Sequence, residues 1–362
     1  MAKLVALMNA FTPLCQELLL STNAKLNVSF WSTFSSALIA SFLTFPTFQI
    51  EKLKIDRHYT LDWTLILITR ALDTIISSNF NTKKFVPEIL KGNGDVVVFI
   101  ISCFFIMVAW TFEPEKIDPG YLKWINDASM IDQEVVDGVR YMKEGTLDYS
   151  PTSKLENQNH YVNYCLSKKQ DPRLGDLTIQ EKLPCYVLHQ FQTKSCKTHA
   201  ILRFIKEFKF SFKLYSSLNL FMFVFIKGFK GKPLKLLTKT IRSSVFLASF
   251  TTLYWIAYCF IRNNHPKNMF NQKFWDLLAP YFGSIACGFS VLIEKSNRRN
   301  ELSLFLAPKA LGTFVDSTPS DRNLNIEIIA FSLSFATLIA YARSNPTKLR
   351  GLVGKGLSYM IQ

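Results

Sequence analysis

The stretch "CYVLHQFQTKSCKTH", residues 185–199, places two cysteines and two histidines close together: Cys185, His189, Cys196 and His199. Two thiolates and two imidazoles make a complete tetrahedral donor set for zinc. Their spacing, C-x3-H-x6-C-x2-H, matches no established zinc pattern. A polar cap leading into a helix near residue 200 is therefore the competing account. The other cysteines are scattered. Cys103, Cys259 and Cys287 lie inside apolar windows and read as small core residues. Seven cysteines in all, an odd number, imply no disulfide framework.

No catalytic constellation accompanies this cluster. The chain has no G-x-S-x-G, no H-E-x-x-H, and no pair of acids with a supporting histidine. "RGLVGKG" at 350–356 has the glycines and lysine of a phosphate loop in the wrong order, with no preceding strand. The expectation is a non-enzymatic protein without a cofactor, zinc being the single alternative. The net charge of +15 would suit a nucleic-acid binder. Here the basic residues sit in short connections between apolar segments, as topology signals do, so no nucleic-acid partner is expected.

The elements that must position these residues are apolar. Lys25 and Glu51 enclose 25 uncharged residues, Arg242 and Arg262 enclose 19, and the windows Asp95–Glu113 and Asp276–Glu294 each enclose 17. A hydrocarbon core about 30 Å thick needs roughly 20 helical residues. The windows predict an all-α polytopic integral membrane helix bundle. Eight candidate segments emerge: 28–48, 61–77, 96–112, 207–226, 243–261, 277–293, 302–316 and 328–342. Those at 61–77 and 302–316 carry internal charges, and 328–342 is short. The N-terminus reads as a retained amphipathic segment. Residues 113–200 are polar and turn-rich, with helix expected around Asp132–Lys143. The predicted organisation is an N-terminal membrane half, 1–112, an extramembrane connector, 113–200, and a C-terminal membrane half, 201–362.

The two halves look related. "LDWTLILITRALDTII" (61–76) aligns with "NELSLFLAPKALGTFV" (300–315), placing Arg70 on Lys309. Each copy follows an apolar helix that ends in an acid and a lysine, Glu51-Lys52 or Glu294-Lys295. Glu294, Lys295, Arg298 and Arg299 read as a tight, positively anchored membrane turn, and Glu51 and Lys52 as its weaker copy. Lys309 and Arg70 are then intramembrane charges, which are costly unless they face a partner or a wet cavity. Ser284 and Gly288, like Ala37 and Ser41, are small residues four apart, the spacing at which membrane helices pack closely.

Three stretches together carry a family likeness: "LPCYVLHQFQTKSCKTHAILRFIKEF", "IRSSVFLASFTTLYWIAYCFIR" and "GFSVLIEKSNRRNELSLFLAPKAL". Over about residues 183–345 the chain resembles the transmembrane protein 135 family. More distantly it is similar to small four-helix translocase-type mitochondrial subunits and to certain peroxisomal membrane proteins. The resemblance implies a mitochondrial or peroxisomal membrane and a role in lipid or sterol handling or organelle dynamics. It also implies contact with membrane lipids, with other membrane proteins or with a second copy of the chain. A pore- or translocase-type subunit is the alternative. The chain departs from the family pattern near its start, where no Cys/His segment precedes the first repeat and Cys15 alone remains.

Overall fold

A computed structural model describes residues 2–21, 27–54, 58–79, 93–149, 151, 153–226, 233–264, 266, 270–316, 318 and 320–349. Among these the fold is all-α, with no strand. The helices are α1 (Ala2–Ser21), α2 (Val28–Leu53), α3 (His58–Asn79), α4 (Gly94–Phe112), α5 (Pro119–Ser129), α6 (Gln133–Glu144) and α7 (His160–Ser167). They continue with α8 (Cys185–Leu188), α9 (Cys196–Phe221), α10 (Pro233–Asn263), α11 (Gln272–Gly288), α12 (Ser296–Gly312) and α13 (Asp321–Ser344).

Among the described residues, six helical segments are long and apolar enough to cross a membrane: Ala2–Ser21, Val28–Leu53, Gly94–Phe112, Pro233–Asn263, Gln272–Ile293 and Asp321–Ser344. Five match expected segments. The sixth is α1, at the N-terminus for which the sequence predicts an amphipathic segment. The expected segments 61–77, 207–226 and 302–316 are helical but not among the six. Charges account for α3, with Asp62, Arg70 and Asp73, and for α9, with Lys206, Glu207, Lys209 and Lys213, while α12 is both charged, with Arg298, Arg299, Glu301 and Lys309, and short at 17 residues.

The chain folds into two compact units. One comprises residues 1–94 and 300–362, and the other 95–299. In the first unit α2 packs against α1 and α13, and α13 also packs against α3. Ala37 and Ala336 are fully buried, in one cluster with Leu4, Phe335 and Ile339. Their missing bulk lets the backbones of α2 and α13 approach. Ser41 turns its hydroxyl back onto the Ala37 carbonyl at 2.7 Å, which removes a polar group from the packed face. The rings of Phe45 and Phe331 stack at 3.8 Å beyond it.

In the second unit α10 packs against both α9 and α11. Helix α4 joins them through ring contacts, Phe99 with Phe246, Trp110 with Tyr254, and Phe112 with Tyr281. Residues 113–200 fold into a lobe of short helices with its own core of Leu147, Tyr161, Tyr164, Cys165, Leu177 and Leu188. Helix is present at 133–144, as the sequence predicted. What the sequence read as a connector is thus a packed structure. Gly175 belongs to it: a Cβ there would lie 2.2 Å from the Tyr161 carbonyl oxygen.

Ser284 and Gly288 lie on α11. Ser284 is fully buried, and a Cβ on Gly288 would lie 2.8 Å from the Ile100 Cα in α4. Because the obstacle is backbone, Gly288→Leu must push α4 away. We expect it to cost about 2–3 kcal/mol, as overpacking does, read as a lower midpoint of thermal unfolding in detergent. A midpoint equal to the wild type would mean that α4 does not approach there.

The polar link that the sequence places between 277–293 and 302–316 is shorter than it looked. A 3-10 segment, Phe289–Ile293, ends at Glu294, and α12 begins at Ser296. Asn297, Arg298, Arg299, Asn300 and Glu301 are therefore helical. The division between the two units falls at Arg299, inside this helix.

Candidate metal centre

Three separate elements of the second unit bring the cysteine- and histidine-rich stretch together. Pro184 holds an extended conformation as the N-cap of α8, which starts at Cys185 and ends with His189 as its C-cap. Gln190 and Phe191 then take positive φ of 54° and 60°, reversing the chain. Ser195 caps α9 through its side chain, so Cys196 is the first residue of that helix. One ligand atom each of Cys185, His189 and Cys196 lies within 4.8 Å of the others.

The fourth residue of the predicted set is placed differently. The His199 ring stacks face to face on the His189 ring, with centroids 4.1 Å apart and planes 8° from parallel. Neither His199 nitrogen has a hydrogen-bond partner, although the side chain is buried. Burial holds its pKa down at about 3, with the neighbouring His189, Arg203 and Lys206 adding to the effect. His199 is therefore a neutral packing ring against His189 and Trp255.

Cys259, read from sequence as a core residue, faces the cluster from the last turn of α10. Its Sγ lies 3.5 Å from His189 Nε2. His189 Nδ1 donates to the Thr193 carbonyl at 2.8 Å. That bond fixes the tautomer and leaves Nε2 with its lone pair toward the sulfurs.

The surroundings favour thiolate. Asn263 Nδ2 donates to Cys185 Sγ at 3.4 Å and to Cys196 Sγ at 3.6 Å. Arg262 approaches Cys185 Sγ at 3.8 Å. The Cys185 thiol is drawn down to about 4. The hydrogen bond with Cys259 is the main cause, burial opposes it, and Arg262 and Asn263 reinforce it. Cys196 is lowered as well, again chiefly through Cys259.

Arg262 anchors this arrangement. It is buried, with Nε 2.6 Å from Asp276 Oδ1 and a terminal nitrogen 2.6 Å from the Leu183 carbonyl. Tyr149 donates its hydroxyl to Asp276. A single Arg–Asp pair thus joins α10, α11 and the lobe of residues 113–200. The sequence reading missed Cys259, Arg262, Asn263, Asp276 and Tyr149 as a group. One signal was present: Cys259 and Arg262 are three apart, on one face of a helix.

The remaining predicted residues fall elsewhere. Glu294 is buried and accepts a 2.6 Å hydrogen bond from Ser243. Its counterpart Glu51 is exposed. Lys52 lies over the rings of Phe48 and Tyr59. Lys295 and Arg298 are exposed, while Arg299 Nε lies 3.0 Å from Asp95. In the first unit Lys309 Nζ lies 2.7 Å from Asp62, and Arg70 lies 3.7 Å from Glu301. The repeat alignment that pairs Arg70 with Lys309 also pairs Asp62 with Glu301. The two ion pairs are therefore the same contact made twice, in crossed fashion.

Helices of this length and apolarity define a multi-pass, all-α membrane protein. Residues 183–317 match the family described as the N-terminal cysteine-rich region of Transmembrane protein 135. That match supports the transmembrane protein 135 family, and it takes in Cys185, His189, Cys196 and Cys259. Nothing among the curated proteins or the solved structures matches the chain.

Proposed function

We propose that this chain is a non-enzymatic protein of a mitochondrial or peroxisomal membrane that takes part in lipid or sterol handling, and through it in organelle dynamics. The observation that carries the reading is a cavity of about 200 Å³ in the first unit. Leu61, Leu65, Ile68, Leu324, Ile326 and Ala330 make most of its wall apolar, and Thr64, Asp316, Thr318, Asn323 and Glu327 add polar groups. Gln49 Nε2 donates to Glu327 at 2.7 Å and Thr64 Oγ1 lies 3.3 Å from it. An apolar pocket with a few convergent polar groups suits an amphiphile that presents a hydroxyl or headgroup to the carboxylate. The resemblance to the transmembrane protein 135 family supports the same reading. Membrane lipids are the partners this requires.

The crossed ion pairs between the repeats favour a second reading, a pore or translocase built from related halves. Reconstitution into liposomes separates the two. The first predicts transfer of a fluorescent sterol or phospholipid between vesicles without conductance. It also predicts a roughly fivefold slower transfer in Glu327→Leu, the worth of about one hydrogen bond. Conductance or solute flux without lipid transfer would establish the second reading instead.

A further inference from the structure

We propose that Cys185, His189, Cys196 and Cys259 bind one zinc ion as a closed Cys3His centre, which fastens the segment before α9 to the end of α10. This site is independent of the lipid cavity and of the function proposed above.

The donor types come first. Three sulfurs and one imidazole are soft to borderline ligands, the combination that selects zinc over the hard cations. Four protein ligands leave no open position, which is the pattern of structural rather than catalytic zinc.

The geometry comes second. A tetrahedral ion with Zn–S bonds of about 2.3 Å and a Zn–N bond of about 2.0 Å spaces its ligand atoms roughly 3.5–3.8 Å apart. The separation of Cys259 Sγ from His189 Nε2 is 3.5 Å. The atoms of Cys185, His189 and Cys196 are held within 4.8 Å of one another, about 1 Å from that span.

The groups around the ligands are those a zinc site uses. A ligating histidine normally donates its other nitrogen to a carbonyl or carboxylate. His189 Nδ1 does so to Thr193. Thiolate sulfurs bring excess negative charge, and the Asn263 amide and the Arg262 guanidinium are aimed at them. Lys182 Nζ in turn holds the Asn263 side-chain oxygen, which itself lies 3.4 Å from Cys185 Sγ. Without an ion, three sulfurs would be crowded around one imidazole with little to gain from it. With one, each donor is satisfied. Metal binding would release the thiol protons that remain and bring the metal-binding free energy to the folding of this lobe.

His199 separates this proposal from the set that spacing alone suggests. Its ring lies parallel to that of His189, so it covers the site instead of pointing a nitrogen into it.

The test is metal analysis of the full chain purified in detergent without added metal. Stoichiometric zinc is expected in the wild type and in His199→Phe, which keeps the stacked ring. Zinc is expected to fall to background in Cys259→Ser and in His189→Ala. If those two variants fail to fold, cobalt exchanged into the wild type supplies the readout. A tetrahedral, thiolate-rich centre gives intense visible d–d bands with a sulfur-to-cobalt charge-transfer band. Folded wild-type protein without zinc, with its thiols freely alkylated or joined as a disulfide, would overturn the proposal. So would loss of zinc in His199→Phe with retention in Cys259→Ser, or an octahedral cobalt spectrum.

Discussion

Arg262→Met is expected to destabilise the second unit by about 3–5 kcal/mol, the cost of breaking a buried ion pair from one side. Arg262 is 1% exposed and Asp276 2%. Removing the guanidinium strands the Asp276 carboxylate beside Tyr149 and Gln272, and leaves the Leu183 carbonyl without its 2.6 Å donor. Leu183 immediately precedes Pro184 and Cys185, so the metal-binding segment loses its tether as well. In a unit of this size the midpoint of thermal unfolding should fall by on the order of 10 °C. Asp276→Leu added to Arg262→Met should restore most of it, because an apolar pair of similar volume no longer buries an unmatched charge. A double variant no more stable than Arg262→Met would show that the carboxylate was not the source of the loss.

Reversing one charge between the repeats is expected to have the second largest effect. Lys309→Glu sets a carboxylate against Asp62, in place of a 2.7 Å ion pair, on helices whose neighbours are apolar. The pair is only partly screened, at 21% and 36% exposure, so the loss should be about 2–3 kcal/mol, between the values for surface and buried pairs. Combining Lys309→Glu with Asp62→Lys re-forms the pair with opposite polarity and should recover most of the accumulation in cells. The equivalent exchange at Arg70 and Glu301, 3.7 Å apart, should show the same rescue with a smaller amplitude. If neither exchange rescues its single reversal, the crossed contact between the repeats is not formed.

These two tests concern features of different visibility in the sequence. The alignment of 61–76 with 300–315 already set Arg70 against Lys309. It also set Asp62 against Glu301, without showing that each basic residue reaches the acid of the other copy. Alignment gives equivalence between positions, whereas the crossing of partners depends on two helices meeting. The metal cluster was visible in part for a similar reason. Cys185, His189 and Cys196 lie close along the chain and could be found by spacing. Cys259 lies 63 residues beyond Cys196, inside an uncharged window, where a cysteine looks like any other small apolar residue. His199 had a suitable spacing and the wrong orientation, because its ring is stacked on His189.

By itself the sequence determined the class of the protein. Uncharged windows of 17 to 25 residues make helices, because an apolar environment leaves the backbone no other way to satisfy its polar groups locally. Small residues four apart marked the close-packed faces at Ala37–Ser41 and Ser284–Gly288, since a missing side chain is legible without a structure. The tertiary structure alone decided which distant charges and donors meet. It set Arg262 against Asp276 and Tyr149, Lys309 against Asp62, and Cys259 against His189. It also packed the short helices between Pro119 and Leu188 into a lobe. The physical reason is one of range. Helix formation and membrane insertion sum contributions over neighbouring residues, so composition and spacing carry them. A salt bridge or a ligand set needs atoms placed within about 4 Å, and only the packing of whole helices brings such atoms together from opposite ends of a chain.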